Sequence, residues 1–534
     1  MRSMTFTNTT NPTPISSTTS IALTGAVLIG GVWVLAAIFS AQPILESMLL
    51  VVLQIVLAFT ALLFGARALS KPSTPEGPGI VFFLAIHVLI YYGFANVVPA
   101  LLSDIRPEYI QAMVGYRIPP SNTISYILGT VAALSMLCGL IGGAWVARKL
   151  LPLKVPARRH CIRKYQWLPR YRLLMIASGT TLTLLLLGTA TYGIRYDILI
   201  SDDEIASLSL GMQLFFHSLI YCLAIPPVLA AGAYVQAFSI RQRKTAGWLT
   251  IASILVTVAA LSIWRMRSHS MIAFALPVAL IVYTGMINWR RLLLPGLAII
   301  VMIYFGVSFV RMSGFVGLIS ETNSIAEVNI SEAVSAVFTE PGRKLVSEVA
   351  MGDASYRTAG LEGVAALIQA QNNGQLELQW GNTIYSGFLQ ALPAALRPSL
   401  EVSERIKTAP SYFGIFSPGD WVTTLLAEFV LDFGFILVFF PALFGGFFLC
   451  ALDRILLLLG QLSAFEGLLV LRIPFFLFIV SNGGSLSDMS LMFFKATTGY
   501  ALLLLLISWA SRLSGRRISA LSIIPEHNRS YLNG

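Results

Sequence analysis

The sequence predicts an all-α polytopic membrane protein with about twelve transmembrane helices. Three observations predict it. The 534 residues are 56% apolar and only 11% charged, with a mean hydropathy of +0.76, where a soluble chain carries about a quarter charged residues. Apolar stretches long enough to cross a bilayer, about 20 residues each, recur along the chain. The cations sit mainly in the short segments between those stretches, as the positive-inside rule requires.

The spans fall at 21–40, 45–66, 79–101, 124–147, 173–193, 211–239, 247–264, 270–287, 292–311, 421–450, 464–482 and 491–510. The first twenty residues are rich in Ser and Thr, with Arg2 as their one cation. They lack the compact basic region of a cleaved signal, so 21–40 reads as a retained span. With the N-terminus inside, 22 Lys and Arg fall in inner segments and five in the short outer loops, at Arg106, Arg117, Arg195, Arg265 and Arg267. The expected organisation is an N-terminal bundle of about nine helices over 1–311, a large periplasmic loop over 312–420, about three more helices over 421–510, and a cytoplasmic tail over 511–534. Both termini are then cytoplasmic.

Several function classes drop out. The net charge of +11 follows topology rather than nucleic acid, and the basic loop Arg148 to Arg172 reads as topogenic and headgroup-facing. The cysteines are Cys138, Cys161, Cys222 and Cys450; they form no CxxC or Cys/His metal spacing, and no disulfide framework is expected. No GxxxxGK[ST], HExxH or GxSxG occurs, so chemistry driven by ATP, zinc or a serine nucleophile has no support, and neither cofactor nor metal is expected. Asp202, Asp203 and Glu204 read as a solvated acidic turn.

The large loop carries apolar patches at Ile330–Phe338, Tyr356–Ala370 and Thr383–Leu396, separated by Gly and Pro, with 11 acids against six bases. It is expected to fold as short helices capping the outer mouth of the bundle. After it, a polar stretch ending at Asp420 runs into a span bearing Glu428 and Asp432, four residues apart and so on one helix face. A carboxylate inside a span costs about 2.5–3.5 kcal/mol on insertion scales, so something must offset it. Ion pairing with Arg472 or Lys495, in the last two spans, is one explanation. The other is a binding site in the outer half of the bundle, where Arg265, Arg267, His269 and Arg311 also gather. Arginine's planar fork of donors matches phosphate oxygens, which points to a phosphate or pyrophosphate ligand.

Three stretches carry a family resemblance: WRMRSHSMIAFALPVAL (Trp264 to Leu280), YSGFLQALPAALRPS (Tyr385 to Ser399) and GDWVTTLLAEFVLDFGFILVF (Gly419 to Phe439). With about twelve spans and one large late outer loop, they resemble the bacterial O-antigen polymerases of the Wzy type. The third departs from that pattern at Asp432, where an amide or small polar residue would precede Phe-Gly. The resemblance implies a glycosyltransferase with a GT-C-like bundle in the bacterial inner membrane. Its substrate would be an undecaprenyl-pyrophosphate-linked oligosaccharide taken from the membrane, and a chain-length regulator would be its protein partner. In that reading Arg265 and Arg267 stabilise the departing pyrophosphate and Glu428 or Asp420 is the base. Arg311, Arg397, His269, Asp432, Arg472 and Lys495 contribute to substrate binding. Three alternatives stay open: an O-antigen ligase of the same architecture, a transporter or flippase of lipid-linked glycans with the intramembrane charges lining its path, and a non-catalytic envelope component.

Overall fold

The computed structural model describes residues 44–70, 79–93, 122–152, 171–191, 225–235, 239–263, 267–283, 360–391 and 424–462, with isolated positions at 237, among 287–303 and at 479. The expected spans 21–40 and 491–510 lie outside the described residues, as does the loop patch Ile330–Phe338. Every extended element described is helical. In chain order they are α1 (Ile44–Ser70), α2 (Ile80–Val88, continued by a π-helical turn Leu89–Gly93), α3 (Thr123–Leu150), α4 (Tyr171–Thr191), α5 (Ile225–Val235), α6 (Ile240–Ile263), α7 (Arg267–Tyr283), α8 (Gly360–Asn372), α9 (Asn382–Ala391), α10 (Leu425–Leu437) and α11 (Phe439–Leu462).

Among the described residues, four helical segments are long and apolar enough to cross a membrane: Met48–Ala68, Thr123–Leu150, Ile240–Leu261 and Phe439–Leu457. Their outer faces are apolar at helical spacing. Met48, Val52 and Val56 are exposed on α1, Trp248, Ile251 and Leu255 on α6, and Phe440, Phe444 and Phe448 on α11. Water would penalise such stripes; lipid accepts them.

Small residues set the closest helix contact. α3 presents Gly139, Gly143 and Ala147 every fourth residue, and α11 presents Ala442, Gly446 and Cys450. A Cβ on Gly143 would land on the Leu443 carbonyl oxygen, and one on Gly446 would land on that of Leu140. Between lipid-embedded helices no hydrophobic gain drives association, so backbones must approach closely for dispersion to hold them. The pairing order, Gly139 with Ala442 and Gly143 with Leu443 and Phe447, then the Arg454 Nε donating to the Leu151 carbonyl, makes α3 and α11 parallel. α1 runs parallel to α3 as well. Leu50 and Val51 pack with Tyr126 and Ile127, and Gln54 Nε2 donates to Thr130 Oγ1 at 3.0 Å. Two parallel spans need an odd number of crossings between them, and the sequence places five between α3 and α11.

One core cluster joins α1, α2, α3, α8, α10 and α11, and a second joins α4 to α7 with Leu456 of α11. The Tyr171 hydroxyl donates to the Gln242 carbonyl and ties the first turn of α4 to the first turn of α6. These contacts gather the described Lys and Arg side chains at one end of the bundle: Arg67, Arg148, Lys149, Arg172, Arg241, Arg243, Lys244 and Arg454.

Two expectations are corrected. The span expected over 421–450 is not one helix. Gly434, at φ 72° and ψ 165°, leaves helical space and breaks the span inside α10; that backbone region is essentially glycine-only. The loop patch around Tyr356–Ala370 does not cap the mouth. It forms α8, whose residues Leu361 and Gly363–Ile368 are buried in the core of the bundle. A 13-residue helix that is apolar over most of its surface, from Leu361 to Ile368, suits burial among other helices rather than a lid over them.

Candidate functional site

α8 enters the bundle with its N-terminus innermost. Leu361 and Val364 pack at Gly129 of α3, while at its other end the Gln369 side-chain Oε1 accepts from the Asn122 backbone amide at 2.8 Å. The helix closes with Gly374 at φ 70°, and the Gln375 amide bonds back to the Ala370 carbonyl at 2.9 Å. This satisfies a carbonyl that the exposed end of the helix would otherwise leave to water.

α10 lies beside α8, both starting against the π-helical turn of α2. A Cβ on Gly360 would stand 3.0 Å from the Tyr91 carbonyl oxygen, and 3.4 Å from both Thr424 Cγ2 and Tyr92 Cε1. Thr424 caps α10, its hydroxyl accepting from the Ala427 amide at 3.2 Å. The Tyr92 hydroxyl accepts from the Leu426 amide at 3.3 Å. Glu428 follows in the first turn of α10, fully buried, where the positive end of the helix dipole favours a carboxylate.

Asp432 is also fully buried but faces different partners. Its two carboxylate oxygens accept from the Thr383 and Ile384 amides at 3.0 and 3.1 Å, so it caps the first turn of α9. In return the turn before α9 caps α10. The Gln379 amide donates to the Leu431 carbonyl at 3.1 Å, and the Trp380 amide to that of Asp432 at 2.8 Å. Gln371 Nε2 takes the Val430 carbonyl at 2.9 Å. Asp432 therefore has an architectural task that its expected substrate-binding role did not include.

Of the other residues expected from sequence, Arg267 and His269 begin α7, at the end of α6 remote from the basic cluster. Arg265, Asp420, Arg311, Arg397, Arg472 and Lys495 lie outside the described residues, and with them the proposed pairing of Glu428 or Asp432 with Arg472 or Lys495. The structure brings Glu428 and Asp432 into one core.

Sequence reasoning missed three groups. His87, fully buried, points Nδ1 at the Ile479 carbonyl oxygen at 2.9 Å. Its ring lies 4.8 Å from that of Tyr91 and 5.9 Å from that of Tyr92. Its Nε2 has no hydrogen-bond partner among the described residues. Tyr92 is the second, and a His-x-x-x-Tyr-Tyr run inside an apolar span was the available signal. The third is Glu362 in the first turn of α8, which faces Tyr126 and whose carboxyl is pushed up to about 7 by burial. Among the described residues no group of three His, Cys, Asp or Glu side chains is placed to hold a metal.

The described residues form an all-helical protein with helices long and apolar enough to cross a membrane, and with carboxylates and tyrosines buried around the short helix α8. No protein-family model matches the chain, and no curated protein or solved structure matches it either.

Proposed function

We propose that this protein is a membrane glycosyltransferase that polymerises undecaprenyl-pyrophosphate-linked oligosaccharide repeat units into O-antigen or exopolysaccharide at the periplasmic face of the inner membrane. One observation carries the reading. In the stretch resembling the polymerases, the acid Glu428 is buried at the inner start of α10, and the Phe433-Gly434 pair breaks that helix at a backbone conformation only glycine adopts readily. The motif thus has a physical use in this chain, holding an acid in the bundle interior.

The reaction asks for two things. A hydroxyl oxygen of the acceptor unit attacks C1 of the donor's first sugar, the bond from C1 to the pyrophosphate oxygen breaks, and the hydroxyl proton passes to a base. Glu428 is the base in this reading, with Asp420 the other acid of the same stretch. The pyrophosphate leaves with two electrons and needs cationic donors aimed at the developing charge. Arg265 and Arg267 supply them, with Arg311 and Arg397 as further contacts.

The test is incubation of the purified full chain with the lipid-pyrophosphate-linked oligosaccharide of its own host, resolved on a gel. A ladder of rising repeat number, lost in Arg267→Ala while the thermal unfolding curve stays unchanged, is the expected result. An unchanged substrate band from folded wild-type protein overturns the polymerase. A single transfer to a different acceptor, with no ladder, replaces it with a ligase.

A further inference from the structure

The cations at the basic end are of two kinds. Four have a named partner within the fold. Arg148 hydrogen-bonds the Cys450 thiol, Arg454 the Leu151 carbonyl, and Arg243 the Ala237 carbonyl at 3.5 Å. Lys149 places its Nζ 3.9 Å over the ring of Trp145. Arg241 and Lys244 differ. Both are exposed, and they line a shallow cleft with Ile240, Thr245 and Trp248. No acid stands in the first turn of α6 to offset them, and the positive end of the helix dipole opposes cations there. Their placement therefore costs stability instead of adding to it, unless an anion fills the cleft.

What continues from the cleft specifies the anion. Along the same helix, Trp248, Ile251 and Leu255 are exposed at successive turns. The order from the helix end inward is two cations, an indole, then an aliphatic stripe. A phospholipid has the matching order of phosphate, glycerol ester and acyl chain, and indoles favour the ester level. A free phosphate would use the cations and leave the stripe unused.

We propose that the start of α6 is a binding site for an anionic phospholipid, with the phosphodiester between Arg241 and Lys244 and an acyl chain along Trp248, Ile251 and Leu255. The site is independent of the glycosyltransferase reading and stands or falls separately.

Native mass spectrometry of the full chain in detergent, titrated with phosphatidylglycerol and with phosphatidylcholine, tests it. The wild type prefers phosphatidylglycerol. The double variant Arg241→Gln/Lys244→Gln loses about twenty-five-fold of that preference, at about fivefold per cation. Lys149→Gln/Arg172→Gln removes the same charge from exposed positions at the same end and leaves the preference unchanged. Equal losses in the two double variants reduce the effect to general surface charge and overturn the site. No loss in either also overturns it.

Discussion

The α3–α11 seam and the junction of α8, α9 and α10 belong to one core cluster and are built in opposite ways. The seam is backbone against backbone, with glycine and alanine at its closest points. The junction is backbone against side chain, with Asp432, Gln371, Thr424 and Tyr92 each satisfying a helix end. The difference follows from the solvent. In a bilayer, burying another leucine gains little, so helices associate by close packing or by hydrogen bonds that lipid cannot supply. The seam should then tolerate no added volume, whereas the junction should tolerate volume but not the loss of a polar partner.

The largest expected effect probes the seam. Gly143→Leu puts a side chain where the Leu443 carbonyl and Phe447 amide stand, and no rotamer avoids backbone. Loss of a monodisperse peak on size-exclusion chromatography is expected. Gly179→Leu on α4, whose Cβ would meet nothing within 4 Å among the described residues, should elute as wild type. A folded Gly143→Leu protein would mean the two helices are not in contact.

At the junction, Asp432→Ala removes the cap from α9 and leaves two buried amides unpaired. A loss of about 2 kcal/mol is expected, from the worth of a cap and the cost of an unsatisfied buried donor. Asp432→Asn keeps one acceptor oxygen and should lose less by thermal unfolding. Because this effect is on stability, glycan elongation by the folded Asn variant separates the architectural task from substrate binding. Normal elongation would remove Asp432 from the site.

The junction also carries a pH signature. Burial raises the Glu362 carboxyl to about 7 in the folded protein, while in the unfolded chain it ionises near 4.3. Above the unfolded value the unfolded state releases its proton first, so stability falls as pH rises from about 4.3 to 7 and then levels. Thermal unfolding across that range should show the decline, and Glu362→Gln should flatten it. A Glu362→Gln profile as steep as the wild type would assign the decline to other groups.

The two regions were unequally legible in the sequence. The spans containing α1, α3, α6 and the first half of α11 follow from apolar length, which is local. The seam was also there to be read, as Gly139-x-x-x-Gly143 and Ala442-x-x-x-Gly446, because helical spacing is local too. The junction was not. Glu428 and Asp432 are equivalent by spacing, yet Asp432 binds amides 48 and 49 residues earlier, and no local pattern reports that separation. α8 was read as surface helix because its chain lies in a polar loop; its burial depends on Gly129 and Gly360 leaving room. The break at Gly434 was hidden because apolar residues continue on both sides of it.

The smallest effect sharpens the comparison, because Gln54 mixes the two kinds of contact. It lies on the α1–α3 interface and is fully buried. Its Nε2 bonds Thr130 Oγ1, while its Oε1 has no partner among the described residues. An interhelical hydrogen bond in a membrane is worth about 0.6 kcal/mol on average. Gln54→Leu gives that up but also removes a buried oxygen without a partner, and the two changes oppose each other. The net change should stay within about 1 kcal/mol, well below that of Asp432→Ala. Equal losses would mean that polar contacts matter as much between the parallel helices as at the junction, and the division between a seam held by shape and a junction held by hydrogen bonds would fail.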